Sequence, residues 1–237
     1  VWNNNYENKS YYIDPHFPGV CLIINQESFY TEPDPQWAHL LPSVDMQLDK
    51  RDGTNIDCDS LKSTFGLFGY TVIIKNNLTH EEVLETVAMA VNTVQKHSSL
   101  VICILSHGLE GRVYGVNSIP VNISEIRNIV CTLNTKNLKT KPKVLILQSC
   151  QGTECQSVPK TADVLLFWAT VPGFGAVRDK TKGSWFIQSL CSNIQEKAHE
   201  MHFEDICTLV KQEVIDKRWK RAMVPNKEST LSRFFFL

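Results

Sequence analysis

Ser99-Leu100-Val101-Ile102-Cys103-Ile104-Leu105-Ser106-His107-Gly108 and Lys143-Val144-Leu145-Ile146-Leu147-Gln148-Ser149-Cys150 are the two stretches whose reading decides the fold. Each is an unbroken apolar run of strand length that breaks into polar residues at its end. Continuous rather than alternating apolar runs mark strands buried on both faces of a sheet. Outward from these two, residues 19–25, 70–75, 164–169 and 230–237 read as further strands. Helical spacing fills the intervals. Leu61, Phe65 and Phe68 share one face of a helix over 58–68. Thr79-His80-Glu81-Glu82 forms a capping box, followed by Val83, Leu84, Val87, Val91 and Val94 at helical period. Further helices are expected over 122–133, 184–197 and 203–217, with a small hairpin over 112–120 and a proline-punctuated loop over 33–42. Strands alternating with helices predict an α/β fold. Its sheet is mostly parallel, joined by right-handed crossovers and covered by helices on both faces.

The chain has 237 residues, 43% hydrophobic and 21% charged, enough apolar material for one sizeable core. With 24 basic and 25 acidic residues, it lacks the cationic excess expected of a nucleic-acid or membrane-surface protein. No apolar run approaches the ~18 residues a membrane span needs. Eight cysteines are scattered, several within apolar runs, which fits buried thiols in a reducing, cytoplasmic setting rather than a disulfide framework. Cys150 and Cys155 are the one pair close enough in sequence to be weighed as a redox couple. No cysteine pair has zinc-finger spacing, and no metal or organic cofactor is expected. The chain opens at Val1 without methionine or signal-peptide pattern, so an upstream part is expected to have been removed.

In parallel sheets, ligands gather beyond the carboxyl ends of the strands. His107 and Gly108 follow one such end and Cys150 follows another. A thiol beside an imidazole is the minimal arrangement for nucleophilic acyl transfer, and backbone amides can hold the resulting oxyanion. Gly108 would let a substrate approach the backbone closely, and the amides of Gly108 and Cys150 are the natural oxyanion donors. Taken singly, a histidine or cysteine at a strand end is more often structural than catalytic. Their joint placement is what carries the reading. His16, His39, His80, His97, His199 and His202 are left as structural or solvent-facing, and Trp168 and Trp185 as core.

Gln148-Ser149-Cys150-Gln151-Gly152 resembles the caspase signature, a cysteine in Gln-Ala-Cys-(Arg/Gln/Gly)-Gly with its histidine upstream. Ile104-Leu105-Ser106-His107-Gly108 resembles the histidine motif of that family, Lys50-Arg51-Asp52-Gly53-Thr54 its Arg-x-Gly-Thr loop, and Gly183 to Cys191 the start of its small-subunit helix. Cys21-Leu22-Ile23-Ile24-Asn25 and Gln151 are similar to death-receptor-type initiator members and their insect counterparts. The resemblance implies a central six-stranded sheet and a thiol protease that cleaves after aspartate. Cys150 would be the nucleophile, with His107 and Gly108 beside it. Arg51, Gln148 and Arg178 would receive the substrate aspartate. Two guanidiniums and an amide offer fork-like donors to one carboxylate. It also implies a hydrolase made as a zymogen for apoptosis or innate immunity, protein substrates with exposed aspartates, a homodimer or caspase heterodimer, and adaptor proteins bound through a missing N-terminal region. The expected organisation is a lead-in over 1–18, a large-subunit region over 19–152, a short connection over 153–162 and a small-subunit region over 163–237. The closing apolar strand near Leu231 to Phe236 would pair across the two-fold axis.

Three departures from the family pattern stand out. Ser149 replaces the usual alanine. Phe174-Gly175-Ala176-Val177 lacks the aromatic residue that usually precedes the matched arginine, which should widen the pocket before the aspartate. The connection Thr153 to Thr161 contains no aspartate, and the nearest, Asp163, opens a predicted strand. Either a longer cleavable loop has been lost from this sequence or the protein works as a single uncut chain. The second case allows a regulatory partner of weak activity that acts by heterodimerisation.

Overall fold

The computed structural model describes residues 8–43, 47–109, 111–133, 135–150, 162–217 and 223–237. Six strands form the central sheet: β1 (Val20–Asn25), β2 (Thr71–Asn76), β3 (Leu100–Leu105), β7 (Lys143–Gln148), β8 (Val164–Trp168) and β11 (Asn226–Ser229). Their order is β11-β8-β7-β3-β1-β2, parallel throughout except for β11 on β8. The α/β reading and the apolar-run logic hold for β1, β3, β7 and β8, each buried along its whole length. They do not hold for β2, a half-exposed edge strand carrying Lys75, a charge that discourages a further strand from adding there.

Successive residues of each inner strand feed opposite cores, as the two-residue strand period requires. Cys21, Ile23, Cys103, Ile146 and Phe167 face one side, where α1 (Thr54–Leu67), α5 (Trp185–Lys197) and α6 (Phe203–Asp216) contribute Leu61, Phe186, Leu190, Ile206 and Val210. Leu22, Ile102, Leu145, Leu147 and Trp168 face the other, against Val83, Val87 and Val91 of α2 (His80–Thr93) and Ile126 and Val130 of α3 (Ile123–Thr132). The capping box is formed as read: Thr79 Oγ1 accepts from the Glu82 amide, and the Glu82 carboxylate accepts from the Thr79 amide at 2.8 Å. The expected hairpin is a three-stranded ribbon of β4 (Gly108–Leu109), β5 (Arg112–Tyr114) and β6 (Pro120–Asn122). A one-turn helix α4 (Thr135–Leu138) and a short pair, β9 (Arg178–Asp179) with β10 (Gly183–Ser184), complete the elements.

Three expectations are corrected. The helix read over 58–68 begins at Thr54 because Gly53, at φ 86°, turns the chain into it directly from the Arg51 loop. The proline-rich loop contains a 3-10 helix, Pro35–Leu40, capped by Asp34. The closing strand lies elsewhere: polar Asn226–Ser229 forms the sheet edge, while the aromatic end makes only an isolated bridge, Phe234 with Ser10. Phe235 is buried against Tyr11 and Phe203, and His202 packs between Phe234 and Phe236. That segment is therefore inside its own core, so β11 is the edge open beyond β8.

Asp163, read as opening a strand, is buried at φ 62° just before β8. One of its oxygens accepts from Tyr11 Oη at 2.6 Å and from Ser232 Oγ at 2.6 Å. This clasp ties the N-terminal lead-in, the start of β8 and the C-terminal segment together. The connecting residues 153–161, and with them Cys155 and the possible Cys150–Cys155 couple, lie outside the described residues.

Candidate active site

The β3–β7 register aligns Leu105 with Gln148, so His107 and Cys150 each lie two residues beyond the same rung of the sheet. The ladder continues through Ser106 N to Gln148 O at 3.2 Å. Ser106 is fixed by its hydroxyl on Tyr114 O at 2.7 Å, and the Tyr114 amide returns to His107 O. The ribbon beside β3 therefore holds the histidine segment from both directions.

The half-buried His107 imidazole packs against Phe29, with ring centroids 4.9 Å apart. Its Nε2 lies 2.7 Å from the backbone carbonyl of Asp49. A carbonyl can only accept, so Nε2 carries the proton and Nδ1 is the basic nitrogen of the neutral ring. Burial lowers the His107 pKa below the usual histidine value, and the Arg51 and Arg178 charges lower it further, against the opposing pull of Asp49. Cys150 is a half-exposed free thiol. Gly108 sits where no side chain fits: a Cβ there would lie 2.6 Å from Arg112 O and 2.7 Å from Ser149 Cβ. Ser149, the departure beside the cysteine, is thus packed against the Gly108 backbone, with its hydroxyl buried and without a protein partner.

Arg51 is 1% exposed. Its Nη1 donates to Gln26 O at 2.9 Å and to Thr54 Oγ1 at 2.7 Å, which fixes the guanidinium in place. Its Nε and Nη2 are buried with no partner, as is Oε1 of the buried Gln148. Burial first, then the Arg178 charge, pulls the Arg51 pKa down to about 9, still above neutrality, so the cation persists. Arg178 is half-buried, donates through Nε to Asp52 O at 2.9 Å, and reaches the Arg51 loop because Gly53 lacks a side chain. Both arginines are electrostatically coupled to Cys150. The structure thus brings together His107, Gly108, Gln148, Cys150, Arg51 and Arg178. Sequence reading missed the Asp49 carbonyl, Phe29 and the buried carboxylate of Asp57. The first is a backbone acceptor and leaves no residue signature. Val177 packs against the core, and among the described residues the Cys150 sulfur, at 3.8 Å, is the atom within 4 Å of where a Gly175 Cβ would be.

A cysteine and a histidine at neighbouring ends of a doubly covered parallel sheet, with a buried arginine beside them, define a distinct class of α/β protein. The comparisons specify it. The family model described as Caspase domain matches residues 18–236. Caspase-8 of Drosophila pseudoobscura pseudoobscura is 38% identical over 222 residues, covering 87% of this chain and 43% of that protein. Caspase-3 of Mus musculus is 35% identical over 226 residues, covering 88% of this chain and 76% of that protein, and Caspase-8 of Drosophila melanogaster is 34% identical over 92% of this chain and 47% of its own. The chain belongs to the caspase family and spans under half the length of the two fly relatives. Among the described residues, no helix is long and apolar enough to cross a membrane.

Proposed function

We propose that the chain is a cysteine endopeptidase that cleaves after aspartate. The observation that carries this is the buried Arg51 with two unpartnered donor nitrogens beside Cys150 and His107. A buried cation with idle donors is costly unless an anion completes it. A substrate aspartate supplies that anion, with Gln148 and Arg178 as the further donors. Neutral His107 takes the thiol proton as the sulfur attacks the carbonyl. The Gly108 and Cys150 amides hold the oxyanion, and the proton passes to the departing amine. Water then hydrolyses the thioester and restores the thiol. A substrate without the carboxylate leaves the buried Arg51 donors unfilled, so discrimination is steep.

The proposal extends to the division into large and small regions around 153–162, to an apoptotic or innate-immune role in the cytoplasm, and to adaptor binding through an upstream region. A homodimer or caspase heterodimer would meet at β11 rather than at the aromatic C-terminal segment. The buried, clasped Asp163 is not a cleavage site, and 153–161 carries no aspartate, which favours action as one uncut chain. The same facts motivate a second reading, a regulatory partner of weak activity. Stimulation of a related caspase that survives Cys150→Ala would support it.

The test of the first reading is labelling with an aspartyl fluoromethylketone under reducing conditions. Labelling of the wild type and not of Cys150→Ala is expected. Absence of labelling in both overturns it.

A further inference from the structure

Asp57 is a fully buried carboxyl that the chemistry above does not use. It lies in the first turn of α1, just past the Arg51 loop. Both of its oxygens accept from the Ser184 amide, at 2.8 and 3.1 Å, and Oδ1 also accepts from Gln188 Nε2 at 2.8 Å. Burial raises the Asp57 pKa, while the hydrogen bonds from Gln188 and Ser184 and the Arg51 charge favour the carboxylate, and every hydrogen-bond partner is a donor. A side chain on Gly183 would collide with Asp57 Oδ1, so the bare backbone there admits the carboxylate.

The partners place this charge between two loops. Ser184 is paired with Arg178 in the β9–β10 ribbon. Asp57 therefore connects the helix that starts at the Arg51 loop to the ribbon that carries Arg178. Its charge acts on both guanidiniums. The other titratable groups around this cluster include Asp52 in the Arg51 loop, whose charge also acts on Arg178, Cys58 on the same helix, Cys191 on α5, Cys150 beyond β7 and His107 beyond β3. Two adjacent cations repel, and the half-buried Arg178 has an exit to solvent that Arg51 lacks.

Resting on the reading of Arg51 and Arg178 as the aspartate pocket, we propose that Asp57 is a positioning residue whose carboxylate keeps the two guanidiniums together before substrate arrives. The pocket then does not have to be assembled by the substrate, and binding is where the loss of Asp57 is felt.

Asp57→Asn separates charge from hydrogen bonding, because the amide oxygen still accepts from Ser184 and Gln188. The expected result is a KM for aspartyl peptides raised about tenfold or more, the lower end of what a neighbouring charge does, with kcat within about threefold. Asp57→Glu, which keeps the charge, recovers part of the loss. An asparagine variant with wild-type KM overturns the proposal, since a purely structural acceptor would behave that way. A second measurement needs no activity: melting of wild type and Asp57→Asn between about pH 7 and pH 10. Without its counter-charge, Arg51 sheds its proton at lower pH, so the stability deficit of the variant narrows as pH rises. A constant deficit overturns the proposal. A narrowing deficit in a protein that turns over no aspartyl peptide upholds Asp57 and removes the peptidase reading instead.

Discussion

Replacing Arg51 with methionine should abolish most activity while leaving the fold at least nearly as stable, and both magnitudes follow from the site. The two unpartnered donors of Arg51 are available to a substrate carboxylate. A hydrogen bond to a charged group is worth about 1.5–3 kcal/mol, so two contribute about 3–6 kcal/mol, or roughly 10² to 10⁴ in kcat/KM. Stability runs the other way. Depression of the Arg51 pKa from 12.5 to about 9 corresponds to roughly 5 kcal/mol of unfavourable burial at neutral pH. Arg51→Met removes that cost, and the methionine fills similar volume. It also strips a donor from Gln26 O and from Thr54 Oγ1, at about 1–3 kcal/mol each. The net lies between a loss of about 1 and a gain of about 3 kcal/mol. Steady-state kinetics on an aspartyl reporter peptide and thermal melts of the same samples check the two halves. Wild-type kcat/KM in the variant refutes the role of Arg51. A melting point far below wild type refutes the energetic account of its burial.

Gly108→Ala should lower kcat by about 10² to 10³ with little change in KM, because the Arg112 carbonyl and Ser149 block a Cβ and force the amide away from the oxyanion; kinetics alongside a melt separate this from misfolding. The acid limb of kcat/KM should lie below histidine's usual 6.5, since burial and the two arginines keep His107 neutral to lower pH. The acid limb of kcat should lie higher, because a bound carboxylate offsets those arginines; a pH–rate series measures both. Gly175→Tyr should narrow the range of residues accepted before the aspartate, read by a peptide library, because among the described residues the Cys150 sulfur alone lies within 4 Å of that position. Tyr11→Phe should lower stability by about 1–3 kcal/mol in a denaturant titration, through loss of the bond to buried Asp163, without changing kcat.

What the sequence revealed tracks how each element is held. β1, β3, β7 and β8 are buried on both faces, so hydrophobicity alone marks them. The Thr79–Glu82 box is a local hydrogen-bond pattern and was readable as such. β11 was not: Asn226-Lys227-Glu228-Ser229 carries no apolar signal and is a strand only because β8 offers it an edge. The aromatic run after it has strand propensity, but its rings are drawn into the space around His202 and Phe203. In the site, Cys150 and His107 were legible because strand ends position them. The Asp49 carbonyl was not, being backbone. Asp57 lies just before the helix as read from sequence, an ordinary acid there, and only the approach of Ser184, distant along the chain, shows it to be a buried group.

The seam between β7 and β8 passes through the middle of the sheet, not between two separate bodies. A chain nicked anywhere within 151–161 would therefore remain one particle, since parting the pieces means exposing Leu145, Leu147, Leu166 and Phe167 to water. Its melting would become bimolecular. The midpoint would climb with protein concentration, as it does for an obligate heterodimer, while the hydrodynamic radius stayed that of the intact molecule. The C-terminal piece, expressed by itself, would lack most of the sheet that α5 and α6 pack against, whereas the core between the sheet and α2 and α3 lies almost wholly within residues 20–147.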